Sequence, residues 1–294
     1  MVQFSVALEF RSAVHQQVNL QLLQQTQNEL VLNQPELQFV SLFYENKPEI
    51  DKQQILDELK LSFKEVNTAD DKSPLAFFFP EYMIALKDAS IPAQGVIFEL
   101  DQKPNLDKFE KAFQQSWHWE HSKTAMEKCN FEVNLTDLMS RTLPHQARLE
   151  YFQKFICAVV RVTSPTVIYF RNSDKLLEPS DFLEVCDSEQ SALLYGAMNI
   201  RMFNISNGGQ GEILMDTIGL HAFGIPDFEC RFIGYDPGEV AGVLQNVAYY
   251  VFDTGDNIRS NSTIQGIGKN PIWKTIYADS KVEPARLVVE IIPN

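Results

Sequence analysis

The apolar positions of this chain follow two recurring patterns, short continuous runs and stripes at helical spacing. The continuous runs Gln38–Tyr44 and Thr166–Phe170 predict buried strands, and three further short strands are expected between Leu75 and Asp101. Residues Phe131–Leu135 alternate between apolar and polar side chains, which is typical of a half-buried strand. Together these runs predict a sheet.

Helices are predicted where apolar residues recur every three or four positions. Such stripes follow Asp51, Asn105 and Pro144, and the one after Asn105 consists of Leu106, Phe109, Phe113 and Trp117. The clearest signal starts with Asp236 as a helix cap, followed by a proline and by a glutamate at the third helical position. Gly255 ends this helix, whose stripe is Val240, Val243, Leu244, Val247 and Val251.

Strands dominate from Ala192 onward. The alternation in Gly196–Met202 predicts a strand with Asn199 and Arg201 on its polar face. Further strands are expected at Glu212–Leu220 and Asp227–Gly234, on either side of a turn. The polar face of the last strand would carry Asp227, Glu229 and Arg231.

The order of these elements predicts an α+β protein with a mixed or antiparallel sheet covered by helices. Helices recur, but without the strict strand–helix–strand rhythm of a doubly wound parallel fold. Residues 1–36 are rich in glutamine and are interpreted as an N-terminal extension, so a single α+β domain is expected over residues 37–294. A division near Arg141 would give two α+β halves of similar size, 37–141 and 142–294, sharing one core.

The charge of the chain narrows its expected partners. Its 294 residues carry a formal net charge of −14, and no Lys/Arg run reverses this locally. Such an excess repels nucleic acid phosphates and anionic lipid, so neither nucleic acid nor membrane is expected as a partner. A protein, and a basic one in particular, would suit the charge, although acidity can also serve solubility alone.

The cysteines and the N-terminus indicate the compartment. Cys129, Cys157, Cys186 and Cys230 are far apart and form no CxxC motif, which predicts buried free thiols in a reducing compartment. The N-terminus lacks the basic start and the uninterrupted apolar run of a signal peptide. No stretch approaches the ~20 apolar residues of a membrane span. The cytoplasm is therefore the expected location.

The sequence DTIGLHAFGIPD at Asp216–Asp227 resembles the C-terminal region of a bacterial family of uncharacterised proteins, the domain of unknown function 4261. The later pieces of that region are a helix with an Asn-Ile-Ala core and a Thr-Ile-Gly turn, which correspond here to Gln245–Asp256 and Asn261–Gly266. The chain departs from the family in having Asn261-Ser262 before this turn, where a glycine is usual, and an additional Gln265. The resemblance implies a fold family and no known activity.

The candidate site residues cluster in and beside this signature: Asp216, Thr217, His221, Asp227 and Glu229. Carboxylates near an imidazole can form an acid–base pair or bind a metal, but this spacing is specific for neither. The favoured interpretation of the segment is structural, since the glycines and the proline between them suit tight turns, and ligand binding and catalysis are the alternatives. Because loops between apolar strands often carry function, Asp216–Asp227 is expected to form one wall of the largest functional cleft.

Two other segments have a weaker pattern. His118 and His121 are three residues apart, so on a helix they would share a face and supply two metal ligands. No third ligand is apparent, and packing beneath the neighbouring aromatic residues is the preferred interpretation. The glycines in Gly208–Gly211 predict a hairpin turn, because no helix follows them to complete a phosphate loop. No metal and no cofactor are therefore expected.

Two hypotheses of function follow from these observations. The leading one is a cytoplasmic, non-enzymatic binding or protein-interaction module with an acidic surface, because no complete catalytic set is present. The alternative is a hydrolase or metal-dependent enzyme that uses the Asp216–Glu229 region. A pocket that gathers His221 with two carboxylates would favour the enzyme.

The first prediction separates these classes by metal content. The purified protein is expected to hold no stoichiometric transition metal, because structural zinc takes four protein ligands and catalytic zinc takes three. Elemental analysis tests this. About one zinc, iron or manganese per chain, lost when His118 and His121 are mutated, would contradict the prediction and support an enzyme.

Overall fold

The computed structural model describes residues 35–69, 74–100, 103–188, 192–205, 209–255, 258, 260–268 and 272–294. Within these residues two sheets carry the fold, one in each part of the chain. Most of the predicted glutamine-rich extension, residues 1–34, lies outside the described residues. Part of the predicted hairpin turn, residues 206–208, lies outside them as well.

The first sheet has the order β2-β3-β4-β5-β1-β6-β7, with antiparallel neighbours throughout. Its strands are β1 Phe39–Tyr44, β2 Asn67–Thr68, β3 Leu75–Ala85, β4 Ser90–Leu100, β5 Phe131–Leu138, β6 Val167–Phe170 and β7 Lys175–Leu177. Helices cover both of its faces, as two neighbouring residues of β1 show. Leu42 packs into one apolar cluster and Phe43 into another.

The helices in this part of the chain are α1 Lys52–Ser62, α2 Glu110–Gln114, α3 Ser122–Glu127, α4 His145–Thr163, α5 Pro179–Asp187 and α6 Leu194–Ala197. A turn of 3-10 helix, Leu106–Phe109, precedes α2. Asp51 caps α1, and Asn105, after which a helix was predicted to begin, caps the 3-10 turn. Trp117 does not continue the predicted stripe, because α2 ends at Gln114 and leaves the indole 63% exposed.

The second sheet has the order β11-β12-β13-β10-β9-β8, with β10 and β13 parallel and the other neighbours antiparallel. Its strands are β8 Asn199–Asn204, β9 Ile213–Ile218, β10 Asp227–Phe232, β11 Thr263–Gln265, β12 Ile272–Asp279 and β13 Leu287–Ile292. The helix α7, Pro237–Thr254, buries Val240, Leu244 and Val251 of its predicted stripe. The predicted α+β class is confirmed.

The boundary between the sheets differs from the predicted division near Arg141. The strands β6 and β7 follow α4 and return to the first sheet, so the sheets divide between Leu177 and Asn199. Each sheet has its own cluster of buried apolar residues. The helix α4 connects the cores, because its Leu149 belongs to the second and its Phe155 to the first.

Two strand predictions in the first sheet were also wrong in detail. Two long strands, β3 and β4, replace the three short ones, since Pro80 lies within β3 at a shift of register between Phe79 and Met83. Prolines are tolerated at such irregularities. The strand β5 is almost wholly buried rather than half-buried, because helices cover both faces of the sheet.

The second prediction tests whether the predicted stripe of α7 supports the second core. Leu244 is fully buried, so Leu244→Ala is expected to lower the free energy of unfolding by ~2–5 kcal/mol through the cavity it leaves. Gln245→Ala, at the exposed neighbouring position, serves as the control and should change it by less than about 0.5 kcal/mol. Urea unfolding measures both, and equal losses would contradict a structural role for the stripe.

Candidate functional site

The structure brings all five predicted residues into one region of the second sheet. Asp216 and Thr217 lie on β9, His221 on the 3-10 turn Leu220–Phe223, and Asp227 and Glu229 on β10. Asp216 and Glu229 are direct neighbours across the antiparallel pair β9–β10. The turn brings the ends of these strands together, which explains why residues eleven positions apart can share one network.

Asp216 is fully buried between two arginines. It accepts hydrogen bonds from Nε and Nη2 of Arg201 at 3.0 and 2.5 Å, and from Nη2 of Arg286 at 2.7 Å. Arg201 is the direct neighbour of Asp216 on β8, and Arg286 immediately precedes β13. Three hydrogen bonds therefore compensate the burial of this carboxylate.

Asp227 closes the turn between the two strands. Its Oδ1 accepts from the backbone N–H of Leu220 at 3.1 Å and from the Thr217 hydroxyl at 3.3 Å. Its Oδ2 lies 2.6 Å from Nδ1 of His221 and accepts from Nε of Arg286 at 3.1 Å. Each carboxylate oxygen of Asp227 therefore has two hydrogen-bond partners.

The charges of this cluster set its protonation. Burial alone would lower the pKa of His221, but the hydrogen bond and the charge of Asp227 outweigh burial and raise it above the usual value. Burial alone would raise the pKa of Asp227, but His221 and Arg286 hold it below the usual range. Burial raises the pKa of Glu229, which accepts from the backbone N–H of Lys281 at 3.0 Å. Each of the two residues therefore favours the charged form of the other, with His221 protonated and Asp227 ionised.

Most residues on the predicted polar faces lie inside the protein. Asp227, Glu229 and Arg201 are buried, although Arg231 on the same face of β10 is exposed. Met202, from the face predicted to be apolar, is 42% exposed. The segment between β12 and β13 provides the cover, since the carbonyl of Glu283 accepts from Arg201. The alternating pattern separated the two faces of each strand, but it did not show which face is buried by other parts of the chain.

The sequence did not single out the two arginines. Alternation places Arg201 on a polar face without indicating its partner. No pattern in the sequence assigns a role to Arg286. The signal for Arg201 was its place opposite an aspartate in a predicted hairpin, since such pairs attract across strands. Arg286 had no local signal, because it is 70 residues from Asp216 along the chain.

Asp216, Thr217 and Asp227 are fully buried, and this segment lines neither the cavity beside β11 nor the one beside Arg171. The cleft expected at Asp216–Asp227 stays a prediction. Among the described residues, the imidazole of His221 is hydrogen-bonded to Asp227 alone, and its side chain is 18% exposed. An aspartate–histidine pair can orient a general base, but here the aspartate is shared with an arginine.

His118 and His121 do not share a helix face. They lie in turns between α2 and α3. Nε2 of His118 lies 2.8 Å from the carbonyl oxygen of Leu176. The described part of the chain contains no group of three His, Cys, Asp or Glu side chains placed to hold a metal.

A groove lies at the other end of the second sheet, between α7 and β11. Its volume is about 840 Å3. The helix contributes Val243, Asn246, Val247 and Tyr250, and residues 262–266 form the opposite wall together with Ile258. The groove therefore lies between the two later pieces of sequence through which the chain resembles the family.

Comparison with known proteins supports the resemblance over part of the chain. Residues 216–292 match the model of the family described as Domain of unknown function (DUF4261), from β9 to the end of β13. The match includes α7 and β11. Neither the curated proteins nor the solved structures contain a significant match. In the described residues, no helix has the length and apolar character needed to cross a membrane.

The third prediction concerns the pH dependence of stability. The folded protein binds a proton on His221 more tightly than the unfolded chain, whose histidine titrates near 6.5. The stabilisation is therefore complete below that pH and is lost as the pH rises through the raised pKa, by at most about 1.4 kcal/mol per pH unit. The difference in free energy of unfolding between wild type and His221→Gln should therefore become smaller as the pH rises.

Urea unfolding between about pH 5.5 and 9 measures this difference. His121→Gln, in the exposed turn before α3, controls for the removal of a histidine. A difference between wild type and His221→Gln that stays constant over the range would contradict the charged pair.

Proposed function

We propose that this protein is a non-enzymatic binding module that takes an extended segment of a partner protein into the groove between α7 and β11. The observation that carries the proposal is the place of β11 at the end of the second sheet, where residues 262–266 line the groove. Among the described residues, β11 pairs with β12 alone. Its second edge is available to another strand.

The register indicates which backbone groups face the groove. Backbone N–H and C=O groups of successive residues in an antiparallel pair point alternately toward and away from the partner strand. The carbonyl of Ser262 points toward β12, because it accepts from the N–H of Thr275 at 3.0 Å. Thr263 and Gln265 then point their backbone groups away from β12. A strand added at this edge would satisfy them, as in β-augmentation.

The helix wall suits the side chains of an added strand. Val243, Asn246, Val247 and Tyr250 follow the spacing of one helix face. Alternate side chains of a bound segment would point at this face, so apolar residues at every second position fit best. Residues 262–266 extend over about 16 Å, enough for roughly five residues of the partner.

The charge of the protein affects the approach of a partner, whereas the groove that would bind it is uncharged. No Asp, Glu, Lys, Arg or His lines the groove among the described residues, so recognition there relies on backbone hydrogen bonds and apolar contacts. The net charge of −14 favours a basic partner at longer range and would speed its association. A cytoplasmic location agrees with the four cysteines, which are unpaired. Bacterial origin is implied only by the resemblance.

The alternative enzyme is less well supported. A hydrolase or metal-dependent enzyme centred on Asp216–Glu229 would need its substrate to reach carboxylates that already accept hydrogen bonds from Arg201 and Arg286. A binding groove needs no such displacement.

The fourth prediction tests strand addition with a phage-displayed library of random dodecapeptides selected on the full-length protein. Selected peptides should alternate apolar and polar residues and should bind Thr263→Ala about as well as wild type. Thr263→Pro should weaken binding at least about tenfold, because it removes an N–H from the free edge. Proline at such a position is compatible with an edge strand, so the fold should persist.

A second pair of variants tests the helix wall. Val243→Arg places a charge in the groove and should abolish peptide binding, whereas Gln245→Arg adds the same charge on the exposed side of α7 and should not. Hydrogen exchange at the N–H groups of Thr263 and Gln265 should slow when peptide binds. Selected peptides that bind both arginine variants equally, or that leave this exchange unchanged, would contradict the proposal.

A further inference from the structure

A second cavity lies on the first sheet, far in sequence from the groove. Its volume is about 350 Å3, and it lies where β4 ends and the segment toward α2 begins. Among the described residues that line it, three side chains are cationic, Lys103, Lys108 and Arg171, and one is a carboxylate, Glu132. An excess of positive charge in one pocket is unexpected in a chain with a net charge of −14.

Arg171 is held in place with donor capacity to spare. Its Nε donates to the hydroxyl of Ser41 at 2.8 Å, and its Nη2 donates to Glu132 at 2.7 Å and also to Oδ1 of Asn134. Within the described residues, Nη1 of Arg171 has no hydrogen-bond partner. The guanidinium is therefore oriented by the protein before any ligand arrives, which lowers the cost of binding.

The two lysines add charge that the described residues leave uncompensated. Neither Lys103 nor Lys108 forms an ion pair or a hydrogen bond through its side chain in the described part of the chain. Together with Nη1 of Arg171 they leave donors in excess of acceptors among the described residues that line this pocket, which is the arrangement that an anion would complete.

The remaining lining is apolar and aromatic. The rings of Phe109 and Tyr169 meet edge to face with centroids 5.1 Å apart, and both line the pocket. The hydroxyl of Tyr169 donates to Asp174 at 2.7 Å, so this ring is fixed. A flat group on the ligand would pack against this wall while its charged end meets the cations.

We propose that this pocket binds a small phosphate monoester that carries a flat or apolar group. Three cations against one carboxylate suit a phosphate dianion better than a monovalent carboxylate. The pocket volume matches a small organic molecule, since ligand pockets start near 300 Å3. Lys103 and Lys108 contact the phosphate, Nη1 of Arg171 donates to it, and Phe109 and Tyr169 contact the apolar group. This site is independent of the groove at β11.

Isothermal titration of the full-length protein with four probes tests the proposal. Phenyl phosphate has both features, inorganic phosphate the charge alone, benzyl alcohol the ring alone, and benzoate a ring with a monovalent charge. Phenyl phosphate is expected to bind most tightly and to lose affinity as the salt concentration rises. Benzyl alcohol or benzoate binding as tightly as phenyl phosphate, or phenyl phosphate not binding at all, would overturn the proposal.

A charge-matched pair of variants locates the site. Lys103→Gln/Lys108→Gln should weaken phenyl phosphate binding roughly tenfold, since exposed ion pairs contribute modestly each. Lys87→Gln/Lys128→Gln makes the same change in net charge at exposed positions outside the pocket and should leave affinity within about twofold of wild type. Equal affinity of the two double variants would overturn the assignment. Thermal unfolding of each variant verifies that the fold is retained.

Discussion

The burial of two aspartates in the second sheet is the constraint on which this part of the structure depends. Asp216 and Asp227 are removed from water, and an unpaired buried carboxylate is too costly to keep charged. Arg286 compensates the burial of both carboxylates, because its Nη2 donates to Asp216 and its Nε donates to Asp227. One side chain ahead of β13 therefore joins β9 and β10, and with them the turn that carries His221. Loss of one partner from such a buried pair typically costs about 3–5 kcal/mol.

A second buried arginine joins the two sheets. Arg148 on α4 donates to Asp137 at 2.6 Å, at the end of β5 in the first sheet. It also donates to the carbonyl of Ala222 at 3.1 Å, in the turn between β9 and β10. The same helix packs into both apolar cores. The position of the turn is thus set from both sides, by Asp227 within the second sheet and by Arg148 from the first.

Local signals predicted the elements better than they predicted the site. The helix α7 was recognisable because its cap Asp236, its stripe and Gly255 all lie within a few residues of one another. The five candidate residues lie in one region because β9 and β10 are joined by a short turn, and their role as a site stays a prediction. Arg286 was beyond reach because a parallel pairing, β10 with β13, brings it there across 59 residues. Period-two alternation assigned Arg201 and Asp227 to polar faces, but exposure depends on the β12–β13 segment that folds over them.

The degree of hydrogen-bond saturation distinguishes the scaffold from the regions suited to binding. Around Asp216 and Asp227 the donors and acceptors are matched, so an incoming ligand would have to break as many bonds as it makes. The outer edge of β11 and the cations around Arg171 differ, because each has bonding capacity that the described residues leave unused. A ligand gains there without displacing a protein partner. Polar residues that look catalytic in the sequence can therefore be the ones that hold the fold, while the proposed binding regions are a strand edge and a pocket with lysines that no motif marked.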